Sequence, residues 1–94
     1  MAFIFEWDPA KATENAHKHG GSFEECTTVF DDPLSATIHD PDHSLDEVRL
    51  VIFGVSMRGR ILAVMHTDRG PHIRILSARE ATRVERGAYE EGIL

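Results

Sequence analysis

Four arginines, Arg74, Arg79, Arg83 and Arg86, fall within a short stretch near the C-terminal end of this 94-residue sequence, and Lys11 and Lys18 lie near its start. Arginine stays charged and grips phosphate through parallel hydrogen bonds, so it stabilises charge well and carries protons badly. Cutting an RNA phosphodiester without a metal asks for three things: a hold on the scissile phosphate, donors for the charge it gains, and a group that takes the 2′-hydroxyl proton. Arginines serve the first two, and one well-placed donor of this kind lowers a barrier by about 3–4 kcal/mol. The third falls to a histidine, carboxylate, tyrosine or lysine of lowered pKa. His19, His72, Glu80, Glu85 and Tyr89 are available, and the residues alone do not choose among them. Each has a plainer use. Glu80 and Glu85 can pair with nearby arginines, His19 can be a hydrogen-bonded structural residue, and the arginine row can be the solvated side of an amphipathic helix.

Other chemistries are poorly served. His17 and His19 lie two apart on an expected helix and point about 200° away from each other, so they do not share an ion. His39, Asp40, Asp42 and His43 lack the tight paired spacing of a zinc site, and no metal or cofactor is expected. Cys26 is the only cysteine; it excludes an internal disulfide, suits a reducing cytoplasm, and sits among Phe23, Val29 and Phe30 as a buried residue would. No G-x-S-x-G elbow is present, and Gly20-Gly21 lacks the further glycine and Lys-Ser/Thr ending of a phosphate loop.

The formal net charge of −6 hides an asymmetry. Residues 1–47 hold eleven acids against two lysines, whereas residues 48–86 hold eight arginines against three acids. A ligand senses charge within a Debye length of about 8–10 Å, so an acidic total does not exclude a polyanion. It does argue against a nucleic-acid coat protein, which is basic throughout. No stretch is long and apolar enough to span a membrane, and Ala2-Phe3-Ile4-Phe5 meets Glu6 too early for a signal peptide.

The elements that must position these side chains follow from period and punctuation. Phe3, Phe5 and Trp7 alternate as a short strand. Asp8-Pro9 starts a helix to about His19, with Ala12 and Ala16 toward the core and Lys11, Asn15 and Lys18 in a row on another side. Gly20-Gly21 ends it. Ser22-Phe23-Glu24-Glu25 opens a second helix as a capping box, and Asp31-Asp32-Pro33 stops it. Leu34 to His39 is a strand, and Asp40-Pro41-Asp42-His43-Ser44 a polar turn. Val48 to Ser56, apolar on both faces except at Arg49, reads as the central strand. Met57-Arg58-Gly59-Arg60 joins it to a strand over Ile61–Thr67, and Asp68-Arg69-Gly70-Pro71 turns into a last strand, His72–Leu76. Ser77 then caps a helix whose stripe Ala81, Val84 and Ala88 opposes Arg79, Arg83 and Arg86. The order β-α-α-β-β-β-β-α predicts one α+β domain over residues 1–94, an antiparallel sheet with the first two helices on one face.

Two separated motifs resemble the BrnT family of toxins. Phe5-Glu6-Trp7-Asp8 with Lys11, Asn15 and Lys18-His19-Gly20, then Ser22-Phe23-Glu24-Glu25 and Val29-Phe30, is similar to the N-terminal half of that family. Arg49, Gly54 and Ile73-Arg74-Ile75-Leu76-Ser77-Ala78-Arg79, with Ala81, Glu85, Arg86 and Tyr89, is similar to its C-terminal half. Gly20-Gly21-Ser22 and Cys26 depart from the usual pattern without touching the basic row. The resemblance implies a RelE-like fold and the toxin of a type II toxin–antitoxin system. It also implies metal-independent RNA cleavage that halts translation, and a BrnA-like antitoxin with a ribbon-helix-helix domain through which the complex meets operator DNA. Carried onto this chain, it singles out Arg74, Arg79 and Arg86 for the phosphate, assisted by Lys18. His19, Glu80 or Tyr89 would move the proton, with Lys11, Asn15 and Arg83 on RNA. The rival expectation is a non-catalytic module whose basic face docks an acidic partner segment, acting as an antitoxin-bound corepressor.

Overall fold

The computed structural model describes residues 3–40 and 48–94. Five strands form one sheet in the order β1-β5-β4-β3-β2: β1 (Ile4–Glu6), β2 (Ala36–His39), β3 (Leu50–Val55), β4 (Ile61–Arg69) and β5 (His72–Glu80). Neighbours are antiparallel except β1, which runs parallel to β5 with Phe5 beside Ile73. The helices are α1 (Pro9–His19), α2 (Phe23–Thr27), which continues as a 3₁₀ turn over Thr28–Asp31, and α3 (Arg83–Glu91). The expected element order and α+β class hold. β4 takes the centre, with β3 between it and β2, so the apolar run Val48–Ser56 is an interior strand rather than the middle one. From Pro41 onward, the expected turn to Ser44 lies outside the described residues.

The first helix begins as its sequence requires: Asp8 caps it by accepting from the Ala10 amide, and Pro9 occupies the first turn. It ends at Gly20, whose φ of 72° is left-handed backbone that glycine adopts without strain. Phe23, Cys26 and Val29 from the α2 region pack on Ile52, Leu62, Val64, Ile75 and Ala78 of the sheet, with Phe5, Trp7, Ala12 and Phe30 around them. Gly54 lets this layer close, because a Cβ there would meet Val29 Cγ1 at 2.9 Å. The opposite sheet face holds a smaller cluster, Val51, Phe53 and Ala63, over which Tyr89 of α3 lies. Among the described residues no helix is long and apolar enough to cross a membrane.

Two local expectations are overturned at the C-terminal end. Ser77 is not a helix cap; it lies inside β5, paired with Met65, and the strand runs on to Glu80. Helix α3 is capped instead by Thr82, which accepts from the Glu85 amide while the Glu85 carboxylate accepts from the Thr82 amide, a complete capping box. Arg79 therefore belongs to a strand, and Val84, expected on the inner stripe, is 81% exposed. The cause is pairing: β4 offers a ladder through Leu62, and continuing it satisfies backbone groups that an earlier helix would leave open. Helix α3 contains no buried residue at all.

A bulge shapes the same strand. Met65 pairs with Ser77 but His66 pairs with Ile75, leaving Leu76 without a partner in register. Strand alternation changes phase there. Ile75 and Ala78 join the main core and Ile73 is buried, while Arg74, Ser77 and Arg79 share the other face.

Candidate functional site

Strand β1 pairs with β5 only as far as Arg74, so the outer edge of β5 beyond it is covered by α1 instead. The contact is specific: the Ala78 amide donates to the Asn15 side-chain oxygen at 3.1 Å. Asn15 is consequently the one buried residue of α1, whereas Ala16, expected toward the core, is exposed, as is His19. An unpaired strand amide needs an acceptor more than the core needs a second alanine.

Between α1 and β5 runs a cleft of about 240 Å³ bordered by Lys11, Glu14, Asn15, Lys18, His19, Leu76 and Ser77. Asn15 and His19 also border a second depression with Gly21, Cys26, Arg60, Leu62, Ala78, Arg79 and Glu80. The two share Asn15 and His19, and together they make up a groove between α1 and β5. At its lysine end, Lys18 pairs with Glu14 at 3.2 Å, both about two-thirds exposed, a contact worth little in water.

At the other end each arginine is gripped by a glutamate. Arg79 donates from Nη1 to Glu85 Oε1 at 2.6 Å and from Nη2 to Glu85 Oε2 at 3.0 Å. The Arg79 hydrogen bonds, against an opposing cost of burial, bring the Glu85 carboxyl down to about 2. Arg60 donates from Nη2 and Nε to the two oxygens of Glu25, at 2.6 and 3.0 Å, and Ser56 Oγ donates to Glu25 as well. Glu25 is 3% exposed, and the Arg60 hydrogen bonds hold its carboxyl below the usual carboxylate range. This corrects the capping box at Ser22: the Ser22 side chain accepts from the Glu25 amide, but the Glu25 carboxylate turns away to Arg60 and Ser56. The remaining Arg60 edge, Nη1, reaches the exposed Glu80 at 3.2 Å.

Of the residues singled out from sequence, the groove gathers Lys11, Asn15, Lys18, His19, Arg79 and Glu80. Arg74 stands apart. Its partner on β4 is Thr67, four residues from Ala63, the partner of Arg79, which separates the two backbones by roughly 13 Å. Arg83 and Arg86 are exposed on α3 and do not form one helical row with Arg79. Tyr89 donates to Asp32 Oδ2, which also accepts from the Val55 amide at 2.8 Å. Burial, together with this carboxylate, raises the phenol to about 12. Sequence reasoning missed Arg60, Glu25 and Ser56, because their contacts join residues more than thirty positions apart. It also missed His66, buried against Phe30 with Nδ1 2.6 Å from Asp68. The only local signal was Arg60 itself, one more arginine beside a turn glycine. Cys26 is buried as expected, its thiol raised to about 12 by burial and the neighbouring Glu25. Among the described residues no three His, Cys, Asp or Glu side chains come together as a metal centre.

In this small α+β domain, lysine, histidine and arginine side chains border the groove beside β5, together with Glu14 and Glu80. The family model for the ribonuclease toxin BrnT of type II toxin–antitoxin systems matches residues 7–85, and the chain belongs to that family. A crystal structure of the Brucella abortus ribonuclease toxin BrnT shares the fold at a TM-score of 0.60 and 24% sequence identity. The match covers 88% of this chain and 99% of that one. No curated protein sequence matches the chain.

Proposed function

We propose that this toxin cleaves RNA without a metal ion, in the groove between α1 and the free edge of β5. The observation that carries the proposal is that His19 borders two neighbouring depressions, one with Lys11 and Lys18 and the other with Arg79. Lysines at one end hold the RNA backbone, and Arg79 at the other, its fork already oriented by Glu85, stabilises the charge gathered on the reacting phosphate. His19 is the proton carrier. It is exposed at the last turn of α1 and borders both parts of the groove. A neutral ring nitrogen of His19 takes the 2′-hydroxyl proton as the 2′-oxygen attacks phosphorus. The bond to the 5′-oxygen breaks and that oxygen takes a proton from water, leaving a 2′,3′-cyclic phosphate and a 5′-hydroxyl end, and His19 later returns its proton to solvent. Tyr89, engaged with Asp32, serves the fold, and Arg74, Arg83 and Arg86 contact more distant phosphates. The partner is a ribbon-helix-helix antitoxin that covers the groove with an acidic segment, and the toxin halts translation by destroying messenger RNA.

Incubation of the purified protein with RNA in EDTA tests this. Cleavage leaving cyclic phosphate ends is expected, with kcat lowered about 10²–10⁴-fold in His19→Ala. Cleavage that requires a divalent cation, or that His19→Ala leaves unchanged, overturns it. In cells, expression alone arrests growth and co-expression of the antitoxin restores it; harmless expression supports the corepressor instead.

A further inference from the structure

Arg60 and Arg79 share an arrangement. Each has two of its nitrogens fixed by a glutamate, and both border the depression that His19 also lines. Arg60 is the slightly less exposed of the two. Glu25 and Ser56 behind it are buried, and its Nη2 lies only 2.5 Å from where a Cβ on Gly21 would stand, so the guanidinium fits against bare backbone. Its one remaining corner, Nη1, points at Glu80, whose carboxylate is 59% exposed and bound at 3.2 Å by a single contact. An exposed carboxylate on one corner of a fixed guanidinium occupies the position that a phosphate oxygen takes in a complex.

We infer that Arg60 is a second phosphate-binding arginine of the groove, and that Glu80 is a placeholder anion which the RNA backbone displaces. This deepens the reading of the groove as an RNA site and rests on it. The buried Glu25 keeps the Arg60 fork in place whether or not Glu80 is engaged. Glu80 then competes with RNA instead of helping the chemistry.

The test measures binding of a 2′-O-methyl RNA oligonucleotide, which the 2′-hydroxyl reaction cannot cleave, at several salt concentrations. Because Arg60→Gln alone would strand a buried carboxylate, Glu25→Gln is combined with it. The pair removes both charges together and leaves net charge unchanged. Direct phosphate contact predicts that the slope of log affinity against log salt becomes shallower by about 0.7. General electrostatics, or a purely structural brace, predicts no change in slope. Glu80→Gln is expected to tighten binding several-fold in the wild-type background and not in the paired variant. An unchanged slope, or equal tightening in both backgrounds, overturns the inference while leaving the groove as the RNA site. Absence of binding by the wild-type protein removes the groove reading and this inference with it. Should the paired variant not fold, Arg60→Lys keeps the charge but loses the fork, and Glu80→Gln must then tighten binding less than in wild type; equal tightening overturns the inference.

Discussion

Replacing Glu85 with glutamine tests what holds α3 to the sheet. The fall of its carboxyl from 4.5 to about 2 corresponds to about 3 kcal/mol. Arg79 and Glu85 remain 33% and 24% exposed, so solvent screening reduces this to about 1–2 kcal/mol. Glutamine keeps an oxygen for the Thr82 amide, hence most of the capping box, but leaves the Arg79 cation without a counter-charge. For a domain of this size 1 kcal/mol moves the melting temperature by about 4–8 °C, so Glu85→Gln is expected to melt roughly 5–15 °C below wild type at pH 7. The sign with pH follows from the lowered carboxyl. Its stabilisation is complete above about 4.5 and is lost as pH falls toward 2. The gap between wild type and variant should therefore close across that window in thermal melts followed by circular dichroism. A gap under about 2 °C at pH 7, or one equally wide at pH 2.5, would refute the reasoning.

Tyr89→Phe removes the donor to Asp32, which keeps the Val55 and Leu34 amides. It should cost about 0.5–1.5 kcal/mol in urea unfolding and leave RNA cleavage within twofold; a large loss of activity would return the phenol to the list of proton carriers. Asn15→Ala strands the Ala78 amide, at about 1–3 kcal/mol, and should speed hydrogen exchange at Ala78 above that of its neighbours on β5. Cys26, 2% exposed with its thiol raised to about 12, should react with a thiol reagent only as fast as the protein unfolds, so labelling that outruns unfolding would contradict its burial.

Elements set by local chemistry were legible in the sequence. Asp8-Pro9 and Gly20 bound α1 as their types predict, and the hairpin closes at Gly59, whose φ is 79°. The C-terminal end was less legible because the same pattern, Ser/Thr followed three residues later by Glu, occurs twice: at Ser77 with Glu80 and at Thr82 with Glu85. Both satisfy the rule for a helix start, and only the ladder to β4 decides between them. Asn15 was read by its place on a helical wheel, which does not reveal the strand amide waiting beneath it. Glu25 followed its local rule only in part. Its backbone amide donates to Ser22 Oγ as the rule requires, while its side chain is claimed by Arg60, thirty-five residues away. The groove was half visible, since α1 and β5 each advertised cations, but the buttressing glutamates were read as caps or surface partners.

The unmatched Leu76 works like a shifted reading frame. In an uninterrupted strand, residues 73, 75, 77 and 79 share one face, which would send Arg79 into the main core and turn Ala78 outward. With the extra residue, the same strand supplies apolar side chains to the core and then an arginine to the opposite face. What sets the later faces is the register offset between β4 and β5. Exchanging Leu76 for another side chain alters a half-buried contact, and deleting it removes the bulge while leaving Ser77, Ala78 and Arg79 on the faces they already hold. Flattening the bulge with Leu76 kept in register, by contrast, inverts every residue that follows in β5. A single codon lost there would straighten the strand without moving Arg79 from its face.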